Sequence, residues 1–189
     1  MPDPPADRLS NLLGALSLAL TDQIREATER AAGVSDAAPA ALVSLRESPS
    51  ERTIEELRLL VGLTHSGGVR LVDRLSEFGY VTRRVRPPGR SVVVTLTPKG
   101  AAAADRIEQA RADVLGRAIR SLSESEKDLL ASAVSTVIGD LAGDRMARRA
   151  ARNPPRSGAL CRMCDFTACG REFGRCPAHA TVAALPNAE

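Results

Sequence analysis

The stretch Val61–Val81, VGLTHSGGVRLVDRLSEFGYV, decides the fold, because it reads as the end of one short helix, a turn and a second helix that stops at a glycine. Gly62 breaks the first helix, Thr64 is placed to cap the next, and Val69, Val72 and Leu75 recur at helical spacing to give it a buried face. After Gly79, the segments YVTRRVR (80–86) and SVVVTLT (91–97) are rich in β-branched residues. They are separated by PPGR (87–90), whose Pro and Gly suit a tight turn, so a hairpin is expected directly after the second helix. Helix, turn, helix, hairpin is the order of a winged helix.

Upstream, Leu9, Leu12, Leu13, Leu16, Leu20 and Ile24 form one apolar stripe on a long first helix ending near Gly33. A short second helix is expected in DAAPAALVSL (36–45), with Ser35 as N-cap and a stop near Pro49. Thr53 and Glu56 have capping-box spacing ahead of Ile54, Leu57, Leu59 and Leu60, which starts a third helix. Downstream, Thr97 and Pro98 are an N-cap and N1 pair opening a fifth helix through AAAADRIEQARADVLGRAIRSL (101–122). Ser123 and Glu126 form a second capping box, followed by Leu129, Leu130, Ala133, Val134, Val137, Ile138 and Leu141 on one side of a sixth helix.

The first, fifth and sixth helices carry more apolar face than a small winged helix can cover, so they are expected to pack on each other and on a second subunit. The fold class is therefore mainly α with a small β-hairpin wing: a winged helix-turn-helix flanked by N- and C-terminal dimerisation helices. Four segments follow from this reading. Residues 1–34 are an N-terminal dimerisation helix, 35–97 the winged helix-turn-helix, 98–152 the C-terminal dimerisation helices, and 153–189 a cysteine-rich tail beyond the linker ARNPPRSG (151–158).

The chain has 189 residues, 43% hydrophobic and 26% charged, with 2% aromatics and no Trp, which suits one helical body built on Leu, Val, Ile and Ala. No stretch is long and apolar enough to span a bilayer and MPDPPADRLS lacks the pattern of a secretory signal, so a cytoplasmic protein without a membrane partner is expected. The net charge is only +3, so an argument for an acidic partner rests on where the arginines sit. They gather on the second helix of the central motif and on the hairpin: Arg70, Arg74, Arg83, Arg84, Arg86 and Arg90, against Asp73 and Glu77. His65 and Ser66 accompany them at the helix start, and Gly67 and Gly68 are costly in a helix unless they let the backbone approach DNA. An α-helix fits the major groove, where the Arg fork matches guanine, and an Arg at a hairpin tip suits the minor groove or phosphate. Tyr80, the only tyrosine, is expected to pack at the strand start.

The run Gly62–Gly100, GLTHSGGVRLVDRLSEFGYVTRRVRPPGRSVVVTLTPKG, resembles the MarR family of bacterial winged-helix transcription regulators. That family's pattern is a recognition helix ending in RLVDRLE, a G-x-V-x-R start to the wing, an Arg at the wing tip and a closing LTPKG. The resemblance extends in helix order over roughly residues 8–150. It implies a homodimer on a pseudo-palindromic operator, with Ser66 and Arg70 facing DNA, Arg74 near the backbone and Arg90 at the wing tip. It also implies a ligand pocket between the dimer helices and the winged helix, without naming a small-molecule effector. PPG stands where the family commonly places an Asp that braces the wing. The DNA-binding set is thus His65, Ser66, Gly67, Arg70, Arg74, Arg84, Arg86 and Arg90, in a regulator expected to repress.

The tail CRMCDFTACGREFGRCPAH (161–179) holds all four cysteines, Cys161, Cys164, Cys169 and Cys176, in C-x2-C-x4-C-x6-C spacing. Four thiolates complete a tetrahedral zinc site, the leading expectation for a cofactor. The same ligands serve an iron-sulfur cluster, and a Cys followed by Pro occurs in ferredoxin-type runs. A metal-free reading has Arg162, Arg171 and Arg175 favouring thiolates that form reversible disulfides. His179 is a spare. No acid-base pair, Ser-His-Asp set or phosphate loop accompanies the thiols, so an enzyme is not expected. The competing class is a metal-thiolate or electron-transfer protein using the winged helix as an interaction module.

Overall fold

The computed structural model describes residues 7–48, 50–86, 91–151 and 157–183. Helix α1 (Arg8–Ala32) starts at Asp7, whose carboxylate accepts from the Ser10 amide at 2.7 Å, and ends at Gly33 in the left-handed region. Helix α2 (Ala38–Arg46) departs from expectation at its start. Its N-cap is Ala37 without a side-chain bond, because the chain enters through Asp36 at φ 67° and Ser35 is drawn away to accept from Arg74 at 3.3 Å.

A short strand, β1 (Arg52–Thr53), precedes helix α3 (Ile54–Val61), whose capping box joins Thr53 and Glu56 as the spacing foresaw. Gly62 ends α3 at φ 78°, and Thr64 caps helix α4 (His65–Glu77) by accepting from the Gly67 amide. Strands β2 (Val81–Arg86) and β3 (Ser91–Leu96) form the hairpin, and β1 adds a third antiparallel strand through Arg52 against Val94 and Thr53 against Val93. Two residues carry no readable alternation, so β1 was invisible in the sequence. The expected turn, Pro87–Arg90, lies outside the described residues.

Helix α5 (Pro98–Ala118) ends several residues before the expected Leu122. Helix α6 (Glu124–Ala150) opens on the Ser123–Glu126 capping box. The core joins α1, α2, α3, α4, the sheet and α5 through Leu42, Leu57, Val72, Leu75, Val94 and Ile107, each essentially removed from solvent. The buried face of α4 is Gly68, Leu71, Val72 and Leu75; Val69 is only half-buried. Among the described residues, no helix is long and apolar enough to cross a membrane.

Two apolar rows face outward: Leu9, Leu12, Leu13 and Leu16 on α1, and Leu130, Val134, Val137 and Leu141 on α6. Helix α6 has Ala142 as its sole buried residue, and within the chain it packs chiefly on helix α7 (Pro177–Ala183) of the tail.

Residues 157–183 are folded onto the body. Gly158 is buried with its α-carbon against the Leu60–Gly62 backbone, leaving no room for a side chain, and the Ala159 amide donates to the Leu60 carbonyl at 2.7 Å. Ser44 donates to the Arg162 carbonyl at 2.9 Å, the Phe166 amide donates to Glu47 at 2.8 Å, and Met163 packs on the core. At the far end, Cys176 and Ala178 are buried with Ala142 of α6.

Candidate nucleic-acid interface and thiol cluster

Helix α4 is held against α3 at Gly68, where an added Cβ would stand 2.7 Å from the Arg58 Cβ. This corrects the reading of Gly68 as a point of DNA approach; its lack of a side chain lets two helices cross closely. Gly67 is half-buried under the cap, where a Cβ would meet Thr64 Oγ1 at 3.2 Å. With Leu71, Val72 and Leu75 turned inward, His65, Ser66 and Arg70 stand exposed on the N-terminal half of α4. His65 Nδ1 is 3.5 Å from Glu55, whose carboxyl is held below its ordinary value chiefly by its hydrogen bond from Arg58. Arg70 has no ion-pair partner among the described residues.

The other basic residues divide by partner. Arg74 is spent within the chain on Asp36 and Ser35, both at 3.3 Å. Arg83 pairs with Asp73 at 2.6 Å, tying β2 to α4. Arg84 binds both oxygens of Glu51 at 2.7 and 2.8 Å, a bidentate bond that fastens β2 to the segment before β1. The Arg83 and Arg84 pairs tie β2 to α4 and to the segment before β1. Arg86 is exposed near the hairpin end with no ion pair among the described residues, and Arg90 lies outside them. The arginines of α4 and the hairpin left without an ion pair among the described residues are thus Arg70 and Arg86, and the sequence offered no signal that Glu51 and Asp36 would engage Arg84 and Arg74.

The wing is anchored at its base. Tyr80 is buried, its hydroxyl donating to the Ala32 carbonyl at 2.7 Å, as its expected packing role requires. Thr97 Oγ1 donates to the Gly79 carbonyl at 2.7 Å and accepts from the Gly100 amide at 3.0 Å. Lys99 donates to the Phe78 carbonyl at 2.8 Å. Gly100 lies so close to the Tyr80 carbonyl that no side chain fits there. Thr97, Lys99 and Gly100 of LTPKG therefore fix the base of the wing relative to α4 and α5.

The thiols are gathered by tight turns. The Cys164 amide donates to the Cys161 carbonyl at 3.1 Å, and Asp165 caps the next turn by accepting from the Ala168 amide at 2.9 Å. Gly170, at φ 69°, then reverses the chain so that Arg175 bonds back to Gly170 and Cys176 returns toward Cys169. The result places Cys161 in one turn with Cys164, and Cys161 and Cys169 both pack around the buried Cys176. Hydrogen bonding from Cys161 brings the Cys164 thiol down to about 6, with Arg111 adding to the effect, while Cys161 is pushed up by sharing that proton. Burial raises Cys169. Among the described residues, no three His, Cys, Asp or Glu side chains converge on one point that could hold a metal ion. All four cysteines are free thiols, and His179 is exposed at the rim of a cavity of about 300 Å³ shared with Cys161, Cys176, Arg145 and Arg171.

No protein-family model and no curated protein matches the chain. Solved structures do. A MarR family protein from Bacillus stearothermophilus is 23% identical with a TM-score of 0.62, covering 70% of this chain and 92% of its own. The apo form of MarR from E. coli is 25% identical with a TM-score of 0.55, covering 66% of this chain and 96% of its own. CouR from Rhodococcus jostii RHA1, solved bound to p-coumaroyl-CoA, is 20% identical with a TM-score of 0.55 over 71% of this chain and 95% of its own.

Proposed function

Starting from a chain with the winged-helix fold of MarR-family regulators, we propose that it is a sequence-specific DNA-binding transcription regulator acting as a homodimer on a pseudo-palindromic operator. One observation carries the reading: α4 buries Leu71, Val72 and Leu75 and presents His65, Ser66 and Arg70 outward, beside a braced hairpin bearing Arg86. An exposed helix with one unpaired guanidinium is the geometry that enters a major groove and reads guanine. The outward apolar rows of α1 and α6 supply the contact between two copies, which sets two α4 helices about one DNA turn apart. Such a protein acts by occupying a promoter, and a repressor is the simplest outcome.

A cavity of about 430 Å³ lies between α1, α2 and the tail, lined by Thr28, Pro39, Arg111, Leu160 and Met163. It is the candidate place for a small effector, and the tail forms part of its wall. The four thiols are the candidate metal or redox centre of the same regulator.

The test is selection of bound duplexes from a random pool, followed by titration of the enriched sequence at rising salt. The expected result is an inverted repeat with half-sites about one turn apart and an affinity that falls linearly on a log-log salt plot. Failure to enrich any sequence would remove the DNA-binding reading.

A further inference from the structure

The tail closes a cavity of about 300 Å³ against helix α6, and the charge on its wall is of one sign. On the α6 side stand Ala142, Arg145, Met146 and Arg149, spaced at i, i+3, i+4 and i+7 and therefore on one face of the helix. That face is turned about a quarter of the way round α6 from the exposed row of Leu130, Val134, Val137 and Leu141, so the cavity and the proposed contact between copies use different faces. The tail contributes Arg171 and His179 with the apolar side chains of Leu160, Ala178 and Val182, and Leu60 of α3 completes the wall.

Three guanidiniums and an imidazole meet this space, and among the described residues no carboxylate lines it. Neighbouring cavities differ. The one of about 430 Å³ between α1, α2 and the tail has Glu29 and Asp36 on its wall, and one of about 640 Å³ between α2, β1 and the tail has Glu47 and Glu172. Nor are the cations neutralised from outside. Arg145 donates to the Ser157 hydroxyl at 3.2 Å, to the Ser157 carbonyl at 3.0 Å and to the Gly158 carbonyl, so it is held by neutral oxygens that fasten the tail to α6. Arg171 lies over the Phe166 ring at 4.4 Å, and neither it nor Arg149 has an ion pair among the described residues. Burial, with Arg149 and Arg162 close by, pushes the Arg145 guanidinium below its ordinary value, as happens where cations crowd without a counter-charge.

Apolar walls with unneutralised guanidiniums at their edge are complementary to a molecule with an apolar body and an anionic head. The Arg fork matches the oxygens of a carboxylate or a phosphate through paired hydrogen bonds. A volume at the lower end of small-molecule sites restricts the body to a compact chain or ring. We propose that this cavity binds a small organic acid, whose carboxylate or phosphate head meets Arg149 and Arg171 and whose apolar body lies against Met146, Leu160 and Val182. It is a second site, apart from the candidate effector cavity beside α1, and it does not depend on the DNA-binding reading. Bound there, the anion touches α3, α6 and the tail at once and holds the tail on the body.

The experiment is calorimetric titration of the full chain with octanoate, octyl phosphate and octanol, each kept below the concentration at which it aggregates. The expected result is one saturable site per chain for at least one of the two anions, about tenfold or more tighter than for octanol, the tighter anion identifying the head. Saturating anion should also slow hydrogen exchange at the Ala159 amide, which is bonded to the Leu60 carbonyl where the tail docks. Arg149→Ala changes an exposed side chain with no ion pair among the described residues, and it should weaken anion binding about tenfold with helicity unchanged by circular dichroism. No saturable binding of either anion, or octanol binding as tightly as both, overturns the proposal. Wild-type affinity in Arg149→Ala, or exchange at Ala159 that the anion leaves unaltered, puts the ligand elsewhere and overturns the site.

Discussion

Single side chains divide the basic motif into groups that hold the fold and groups free to meet a ligand. Arg70→Ala removes a guanidinium with no ion pair among the described residues, so operator affinity is expected to fall by about 1–3 kcal/mol, most at one base pair, with the melting temperature unchanged. Gly68→Ala should do the reverse in origin: its Cβ would press on the Arg58 Cβ at 2.7 Å, costing about 1–3 kcal/mol of stability in urea denaturation. The arginines were readable as a patch from composition alone, but not their division, because Glu51 reaches Arg84 and Asp36 reaches Arg74 across the fold. Glu108 is a third kind of residue. Burial lifts its carboxyl from 4.5 to about 6, Glu47 adds repulsion, and its Oε1 has no hydrogen-bond partner. The native state therefore binds this proton more tightly than the unfolded chain, and stability falls as pH rises from 4.5 through about 6. Calorimetry of Glu108→Gln should show a melting temperature above wild type at pH values over about 6 and convergence below 4.5. A gap that widens toward acid would show the sign to be wrong.

At the scale of elements, the helices announced themselves through their ends. Both capping boxes, the Thr64 and Thr97 caps and the Gly33 and Gly62 stops stand where local hydrogen-bond chemistry puts them. What the sequence concealed depends on long-range contact. Strand β1 exists because β3 offers it partners, and Ser35 caps nothing because Arg74 claims its hydroxyl. The largest concealed feature is the docking of the tail, expected as an appendage beyond a linker. Its key residue is Gly158, an inconspicuous glycine in a Pro-rich run, pressed on the Leu60–Gly62 backbone at the very end of α3. Gly158→Ala should therefore loosen residues 157–164 without unfolding the body. Hydrogen exchange is the measurement, with faster exchange at the Ala159 amide, now bonded to Leu60, and no change at the core of α5. Uniform acceleration across the chain would instead mean that the tail and the body unfold as one unit.

For the whole molecule, the decisive feature is that α6 spans Glu124–Ala150 yet buries only Ala142. Leu130, Val134, Val137 and Leu141 recur at intervals of four, three and four residues, the spacing of one stripe along a helix. All four are exposed, as are Leu9, Leu12, Leu13 and Leu16 on α1. Exposed apolar stripes of this kind favour being covered, and in the proposed homodimer a second copy with the same two stripes would cover them. Val137→Glu places a charge on the α6 stripe of the proposed contact while touching none of the buried core, so the chain should keep its helicity and become monomeric by light scattering. The consequence for DNA is larger than the contact itself. A monomer presents one α4 to one half-site, and losing the linked second half-site lowers apparent operator affinity by about a hundredfold or more, although Arg70 and the wing are untouched. If Val137→Glu stays dimeric, the subunit contact lies elsewhere; if it is monomeric and binds the operator as wild type, recognition needs only one winged helix and the inverted repeat loses its meaning.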